Sequence, residues 1–271
     1  MKTLFKPGQF FDENYYERGA ETGKSLYSHY RWMPELTIPM CHHIAKYLEL
    51  KETDKVLDFG CAKGFSVYGL RLLGYKAYGV DVSEYAVKKS PEEIRKWLGV
   101  IEPQEELTCA EGGYDWILCK DILEHIPYEN ITQQLEVFHK GGKRLFVIVP
   151  IGRNGKYLID SYEQDKSHFI KEDIDWWIKK IEHAGYKIDL ATYDLGPFKK
   201  NWQFEPEGNA LIMATRPNTL HEELMIGFEE EQRQFVGEYI QKINMSNYKR
   251  GVYFLKIETE NKSINKKLVL Q

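Results

Sequence analysis

The sequence predicts an α/β protein in which helices cover both faces of a mostly parallel sheet. Three observations support this prediction. Short apolar runs such as residues 55–59 alternate with stretches of helical periodicity such as residues 171–184. Glycine or proline follows most of these segments, as expected where helices and strands end. The final pair of strands, residues 187–193 and 208–215, lacks a convincing crossover helix between them, which predicts an antiparallel last strand.

The order of the elements follows from the same signals. Gly74, Gly141 and Gly185 are placed where helices should stop, and Pro150 is placed where a strand should stop. In chain order we expect a helix at about 36–48, a strand at 55–59, a helix at 65–73, a strand at 76–81, a helix beginning near Ser83, a strand at 115–119, a helix near 130–139, a strand at 144–149, a helix at 171–184, and strands at 187–193 and 208–215.

We expect three parts along the chain. An N-terminal lid segment covers residues 1–35, the main α/β domain covers 36–215, and an appendage covers 216–271. In the appendage, a helix near 221–243 precedes a β-hairpin that begins at Gly251. This hairpin faintly resembles the closing strands of sorting tails on some secreted bacterial proteins. We favour instead an appendage that packs on the core or on another subunit, which makes a homo-oligomer possible.

Composition excludes several classes of function. With 271 residues, the chain can bury a sizeable core without disulfides. A net charge of -4 gives no electrostatic reason to expect nucleic acid as the main partner. The four cysteines show no CxxC spacing, the N-terminus lacks the apolar run of a signal peptide, and no stretch is apolar enough to span a bilayer. We therefore expect a cytoplasmic protein with no membrane partner.

The most informative stretch is residues 56–64, Val-Leu-Asp-Phe-Gly-Cys-Ala-Lys-Gly, which reads as a strand followed by a tight turn. Gly60 and Gly64 allow unusual backbone dihedrals there and let a ligand approach the main chain. A dinucleotide fingerprint needs glycine at the first, third and sixth positions of such a turn. The third and sixth positions here are Ala62 and Phe65, so the spacing argues against a dinucleotide.

The order acid, one residue, glycine, three residues, glycine, which starts at Asp58, resembles motif I of the class I methyltransferases. A second strand ends at Asp81, where a ribose-binding carboxylate should fall. Residues 114–127, with their trailing Leu-Glu-His-Ile-Pro, are similar to motif IV of that family. Over roughly residues 10–215 the resemblance implies a Rossmann-like, doubly wound, mostly parallel sheet of seven strands with an antiparallel last strand.

The resemblance also implies a binding site for S-adenosylmethionine. Asp58 and the glycine turn should shape the methionyl part of the site, and Asp81 should accept both ribose hydroxyls. An acid at position 102 aligns with the residue that contacts the adenine amino group in relatives, although the local sequence departs from the usual pattern. The expected cofactor-binding residues are Asp58, Gly60, Cys61, Gly64, Asp81, Val82, Glu102, Lys120 and Asp121.

Catalysis with an activated sulfonium methyl requires chiefly alignment and exclusion of water. A hydroxyl acceptor would also need a general base, whereas an amine needs only to be neutral. The expected catalytic residues are His125 in the Leu-Glu-His-Ile-Pro turn, His168 in the Asp-Lys-Ser-His segment, and Asp121. For His168 the roles of base, substrate contact and structural anchor stay open, and His125 could instead only stabilise its turn.

Two other patterns in the sequence resemble ligand-binding motifs but lack the required spacing. Residues 17–25 look like a P-loop, but three rather than four residues separate the glycines and no strand precedes them. They read better as part of the lid, in which Tyr27, Tyr30 and Arg31 could cover a ligand. The adjacent pair His42-His43 and the segment from His221 lack convergent ligand spacing, so we expect no metal.

These observations predict a cytoplasmic S-adenosylmethionine-dependent methyltransferase acting on an oxygen or nitrogen of a small molecule. The Phe-Asp-Glu-Asn-Tyr-Tyr opening resembles methyltransferases of bacterial or viral surface-sugar pathways, so a sugar or glycan is the first guess for the acceptor. One alternative is a non-catalytic methyltransferase-like binding subunit. The other is an oxidoreductase that uses NAD or a nucleotide sugar.

Overall fold

The computed structural model describes residues 6–107, 113–199 and 205–217, together with the backbone of 251–259 and 262–270. The chain separates into two compact units, residues 1–218 and 219–271. The predicted helix near 221–243 lies outside the described residues. Within the described residues, no helix is both long and apolar enough to cross a membrane.

Eleven strands are assigned within the described residues. In chain order they are β1 (Lys55–Phe59), β2 (Lys76–Asp81), β3 (Leu98–Val100), β4 (Tyr114–Lys120), β5 (Gly142–Pro150), β6 (Gly152–Arg153), β7 (Lys156–Tyr157), β8 (Lys187–Thr192), β9 (Asn209–Thr215), β10 (Gly251–Thr259) and β11 (Lys262–Leu270). Each predicted strand of the main domain is present. The short β3 and the β6–β7 pair are additions to the predicted set.

Seven of these strands form one sheet in the order β3-β2-β1-β4-β5-β9-β8. Strands β1 to β5 pair in parallel, whereas β9 runs antiparallel to both of its neighbours. This confirms the predicted seven-stranded, mostly parallel sheet with an antiparallel last strand. The order reverses at β1, so the carboxyl ends of β1, β2 and β4 meet at a switch point where ligands of such sheets bind. Separately, β10 and β11 form the predicted antiparallel hairpin.

Eight α-helices are assigned within the described residues. They are α1 (Pro7–Phe10), α2 (Glu13–Tyr16), α3 (Gly19–Thr22), α4 (Pro34–Tyr47), α5 (Phe65–Leu72), α6 (Glu84–Lys88), α7 (Ile131–Gly141) and α8 (Ile174–His183). Short 3₁₀ turns cover Glu92–Trp97, Leu123–His125 and Asp160–Gln164. Helix α8 begins a few residues later than the predicted 171, because the Asp173 side chain accepts a hydrogen bond from Trp176 N and caps the helix there.

Two apolar clusters hold the sheet between its helix layers. One face packs α7 and α8 through Phe138, Trp177 and Ile181, which are fully buried. The other face packs α4 and α5 through Cys41 and Leu70, which are fully buried too. Burying both faces in this way fixes the strands rigidly, so the loops at their carboxyl ends are held in place for a binding site.

Candidate active site

A cavity opens at the carboxyl ends of β1, β2 and β4. The space that a water molecule can occupy in it is about 70 Å³, and the empty space counted with its open mouth is about 520 Å³. Five of the predicted site residues line it: Gly60, Asp81, Val82, Asp121 and His125. The turn after β1 and the carboxylate after β2 therefore share one cavity, as the sequence predicted.

Asp81 is the central acid of this cavity. Its side chain is 5% exposed, and its two oxygens accept hydrogen bonds from Ala62 N at 2.7 Å and Ser83 N at 2.8 Å. Burial raises the pKa of Asp81 to about 6, opposed by these backbone hydrogen bonds. Ser83 itself caps α6, accepting from Ala86 N, so Asp81 is not needed as the cap. Its remaining lone pairs are available to a ligand diol.

The glycines of the turn have different surroundings. Gly60 and Gly64 both have a φ of +74°, which favours glycine. A Cβ on Gly60 would clash with the side chain of Ile122, a residue of the cavity wall. A Cβ on Gly64 would instead lie 2.7 Å from Leu98 Cδ1 and 2.8 Å from Ile94 Cδ1. Gly60 thus gives room for a side chain of the cavity wall, whereas Gly64 gives room for packing behind the turn.

The other predicted cofactor residues surround the cavity without lining it. Asp58 is buried, and burial raises its pKa to about 7, while Lys120 lowers it. The Cys61 sulfur faces Gly79, where an added Cβ would be 2.7 Å away. Glu102 is exposed, and the cavity wall is made by its neighbour Ile101. The predicted contacts of these side chains with a cofactor remain predictions.

The N-terminal segment covers the cavity. Phe11, Tyr15, Tyr16 and Tyr27 all belong to its lining. Sequence analysis singled out Tyr27 but not the other three, although the aromatic enrichment of this segment was the available signal. Arg31 is exposed and lies outside the lining.

Polar contacts fasten this segment to the domain. Lys63 Nζ lies 2.5 Å from Glu17 Oε1 and 2.6 Å from the carbonyl oxygen of Tyr30. The Ser83 hydroxyl donates to the carbonyl of Phe11 at 2.5 Å. Lys63, which belongs to the glycine turn, is therefore paired with the covering segment and does not line the cavity.

A second polar group, which includes Asp121, lies beside the cavity. The Asp121 carboxylate is 2.6 Å from both Lys120 Nζ and Lys199 Nζ, and these cations hold its pKa well below the usual value despite its burial. Lys199 also donates to Asn209 Oδ1 at 2.7 Å. Asp121 is therefore ionised and saturated by cations, which makes it unsuited to accept a proton. No sequence signal pointed to Lys199, which is 78 positions from Asp121.

The two candidate histidines lie next to each other, with ring centroids 4.6 Å apart. Nδ1 of His168 is 2.9 Å from the carbonyl oxygen of Tyr162. Nδ1 of His125 is 2.8 Å from the Ser167 hydroxyl, which donates to Asp165 Oδ1 at 2.5 Å. Because a carbonyl only accepts and the hydroxyl proton is already used, both Nδ1 atoms must carry the proton. Each ring therefore keeps its lone pair on Nε2.

The electrostatics of this pair follow from burial. Burial lowers the pKa of His125 to about 4, and the neighbouring His168 lowers it further. Burial also lowers the pKa of His168, with Asp165 opposing the shift. Both rings are therefore neutral at neutral pH. Of the two, His125 lines the cavity, and His168 contacts the His125 ring without lining it.

Comparison with known proteins agrees with this geometry. Residues 31–150 match the model of a methyltransferase domain family, and residues 227–271 match that of a secretion system C-terminal sorting domain. The chain is 30% identical over 115 residues to the ribosomal protein L11 methyltransferase of Campylobacter fetus, a match that covers 40% of each chain. It is also 30% identical over 109 residues to the ubiquinone biosynthesis O-methyltransferase of Cupriavidus pinatubonensis, covering 38% of this chain and 43% of that protein.

The match thus spans less than half the length of these two relatives. Among solved structures, one described as "Conversion of a Disulfide Bond into a Thioacetal Group during Echinomycin Biosynthesis" superposes with a TM-score of 0.55 at 17% identity. That superposition covers 82% of this chain and 99% of the other. Residues 31–150 thus match a methyltransferase domain and the chain has the fold that the sequence motifs implied, so the resemblance noted from the sequence is confirmed.

Proposed function

We propose that this chain, which carries a class I methyltransferase domain, transfers a methyl group from S-adenosylmethionine to an oxygen or nitrogen of a small molecule. The observation that carries the proposal is the single cavity shared by Gly60 and Asp81. Parallel pairing of β1 and β2 brings the glycine turn and the carboxylate to one edge of the sheet, and the cavity lies there.

The residues present suit this cofactor. Asp81 offers lone pairs to a ribose diol, and Val82 and Ile101 offer apolar wall to an adenine ring. Gly60 lets the Ile122 side chain of the cavity wall pack against the main chain, because a Cβ on Gly60 would clash with it. The cofactor supplies a sulfonium methyl that is already activated, so the chain must chiefly bind, orient and exclude water.

The covering segment performs the exclusion of water. Its aromatic side chains close one side of the cavity, and the Glu17–Lys63 ion pair holds the segment down. Both charged side chains are mostly buried, at 19% and 9% exposure, so this pair is less screened than a surface pair. Entry of ligands then requires this segment to move.

The acceptor is proposed to bind between the covering segment and the His125–His168 pair. His125 presents a neutral ring to the cavity, and its Nε2 lone pair is able to receive a proton from an acceptor hydroxyl. Asp121 is better suited to accept a hydrogen bond from the acceptor than a proton. A sugar or glycan remains our first choice of acceptor, on the resemblance of the N-terminal segment and on this concentration of polar groups.

Calorimetry with S-adenosylhomocysteine, followed by transfer of labelled methyl groups to a native glycan or metabolite extract, tests the proposal. We expect binding of the cofactor product and a labelled small molecule detected by mass spectrometry. Tight NAD binding without binding of S-adenosylhomocysteine would overturn it in favour of an oxidoreductase. Cofactor binding without any labelled product would favour the non-catalytic binding subunit.

Cellular location remains part of this proposal. We keep the cytoplasmic prediction, supported by the buried thiols of Cys41, Cys61 and Cys119, which are not in disulfides. The match of residues 227–271 to a sorting domain supports export instead. Fractionation of cells that express the full chain, with detection in cytoplasm and culture medium, separates the two. Light scattering of the same chain against its 31.9 kDa monomer mass tests the possible homo-oligomer.

A further inference from the structure

Three side chains from two separate segments converge behind the cavity wall. Glu124, His125 and His168 each bring one possible metal-ligand atom to within 4.8 Å of the other two. Tetrahedral ligands at zinc distances are about 3.4 Å apart, so a side-chain shift of about 1 Å would close the set around an ion. Spacing along the chain gave no sign of this group, because two members are adjacent and the third comes from a distant loop.

The histidines are oriented as metal ligands are. Each uses Nδ1 for a hydrogen bond, to the Tyr162 carbonyl or to the Ser167 hydroxyl, and keeps its Nε2 lone pair. Hydrogen bonds of this kind fix the tautomer and ring orientation of metal-binding imidazoles.

The buried side chain of Glu124 is a second observation that points to a bound cation. Its side chain is 1% exposed, and Oε2 has no hydrogen-bond partner among the residues that the structure describes. A buried carboxylate oxygen without a partner costs free energy, and either protonation or a nearby cation offsets that cost. The nearby Lys199 donates its hydrogen bonds to Asp121 and Asn209 instead.

The backbone holds the group together. The carbonyl oxygen of Glu124 accepts from Phe169 N at 2.8 Å and from Ile170 N at 3.2 Å. These bonds tie the Leu123–His125 turn to the segment that carries His168. The ligands are therefore placed before any ion arrives, which reduces the cost of binding.

We propose that Glu124, His125 and His168 bind one divalent transition-metal ion, with Zn²⁺ as the first choice. Two imidazoles and one carboxylate favour Zn²⁺, Mn²⁺, Fe²⁺ or Co²⁺ over Mg²⁺ and Ca²⁺, which prefer oxygen ligands. Three protein ligands leave at least one coordination position open. Because His125 lines the cavity, that position can face the acceptor.

The role of the ion rests on the proposed function, whereas its binding does not. If the chain transfers methyl groups, an acceptor hydroxyl bound at the open position would lose its proton to water more readily, because a divalent cation lowers the pKa of a bound oxygen. The histidine pair would then act through the ion, its lone pairs being engaged. This interpretation departs from our expectation of no metal.

Metal content of the full chain tests the site without reference to activity. Chelator-treated protein is titrated with Zn²⁺ by calorimetry, and with Co²⁺ while its visible absorption is recorded. We expect one ion per chain, and at least tenfold weaker binding in Glu124→Gln and in His168→Gln. His42→Gln, which changes an exposed histidine, is the matched control and should bind as the unaltered chain does.

Equal binding by all three variants, or no binding by the unaltered chain, would overturn the proposal. Circular dichroism checks that the variants fold. If they do not, anomalous diffraction from crystals of the unaltered chain soaked in Zn²⁺ decides. A peak between Glu124, His125 and His168 supports the site, and a peak elsewhere or none rejects it. If the unaltered chain binds the metal but transfers no methyl group, only the proposed function is contradicted.

Discussion

Replacement of Asp81 by asparagine separates the binding role of the carboxylate from its cost to stability. The structure gives Asp81 a pKa of about 6 against an ordinary value of 3.8. Its ionisation therefore costs the folded state about 3 kcal/mol at high pH. The pKa of Asp81 is higher in the folded state than in the unfolded state. Its contribution to the free energy of unfolding is therefore fully present below pH 3.8 and is lost as the pH rises through about 6.

Asp81→Asn should remove this dependence. Between pH 5 and pH 8 the stability of the variant relative to the unaltered protein should rise by roughly 1–2 kcal/mol. Loss of the hydrogen bond from Ala62 N or Ser83 N, one of which the amide NH2 group cannot accept, adds an offset of about 1–3 kcal/mol against the variant. Urea unfolding at several pH values measures both quantities.

Cofactor affinity should change in the opposite direction. A carboxylate that accepts two ribose hydroxyls contributes about 3 kcal/mol, and a neutral amide oxygen would keep about 1 kcal/mol of it. The remaining loss of about 2 kcal/mol is close to a 30-fold weaker Kd for S-adenosylhomocysteine. Calorimetry at pH 8 measures this change. For the unaltered protein the same affinity should fall below pH 6, where Asp81 becomes protonated.

Asp175→Asn is the matched control, because Asp175 is exposed on α8 and lies outside the cavity lining. It should leave both affinity and pH dependence unchanged. The reasoning is refuted if folded Asp81→Asn binds S-adenosylhomocysteine within threefold of the unaltered protein. It is refuted equally if the pH dependence of stability persists in the variant.

Three further changes test the packing and the covering segment. In urea unfolding, Gly64→Ala should lower the free energy of unfolding by at least about 1 kcal/mol more than Gly74→Ala does. Both glycines have a positive φ, but of the two only Gly64 has side chains within 4 Å of its Cβ position. Equal losses would contradict the packing argument. Lys63→Met should lower the free energy of unfolding by about 1–3 kcal/mol and weaken cofactor binding. Lys143→Met, which breaks an exposed ion pair, should lower it by at most about 0.5 kcal/mol and leave the Kd unchanged. An unchanged Kd in Lys63→Met would show that the covering segment does not support binding. Ile181→Ala, at a fully buried position of α8, should cost about 2–5 kcal/mol in thermal or urea unfolding, and a cost below 1 kcal/mol would contradict its place in the core.

Short patterns in the sequence predicted most of the main sheet, because they reflect the backbone conformation that each turn and strand end requires. A positive φ at Gly60 and Gly64 needs glycine, and a strand end followed by a helix start places Asp81 at the switch point. Those requirements act within a few residues, so they are readable along the chain. The unpredicted β3 is only three residues long, and its burial pattern carries no clear alternation.

The functional details that escaped prediction are all long-range. Lys199 reaches Asp121 across 78 positions, and the Tyr15 hydroxyl reaches Asp165 across 150. Neither loop has a periodicity that would bring the two ends together, because irregular segments are positioned by the sheet beneath them. The role of Lys63 was likewise invisible until the covering segment was in place.

The amino-acid sequence alone determined the class of fold, the antiparallel last strand, the position of the glycine turn, and the positions of Asp58 and Asp81 near the ends of their strands. Each of these depends on local backbone geometry or on hydrophobic periodicity. The tertiary structure decided which side chains close the cavity, which cations hold Asp121 ionised, and that Glu124 meets both histidines. These outcomes depend on loops meeting over a rigid sheet, and contact between distant segments leaves no regular pattern in the chain.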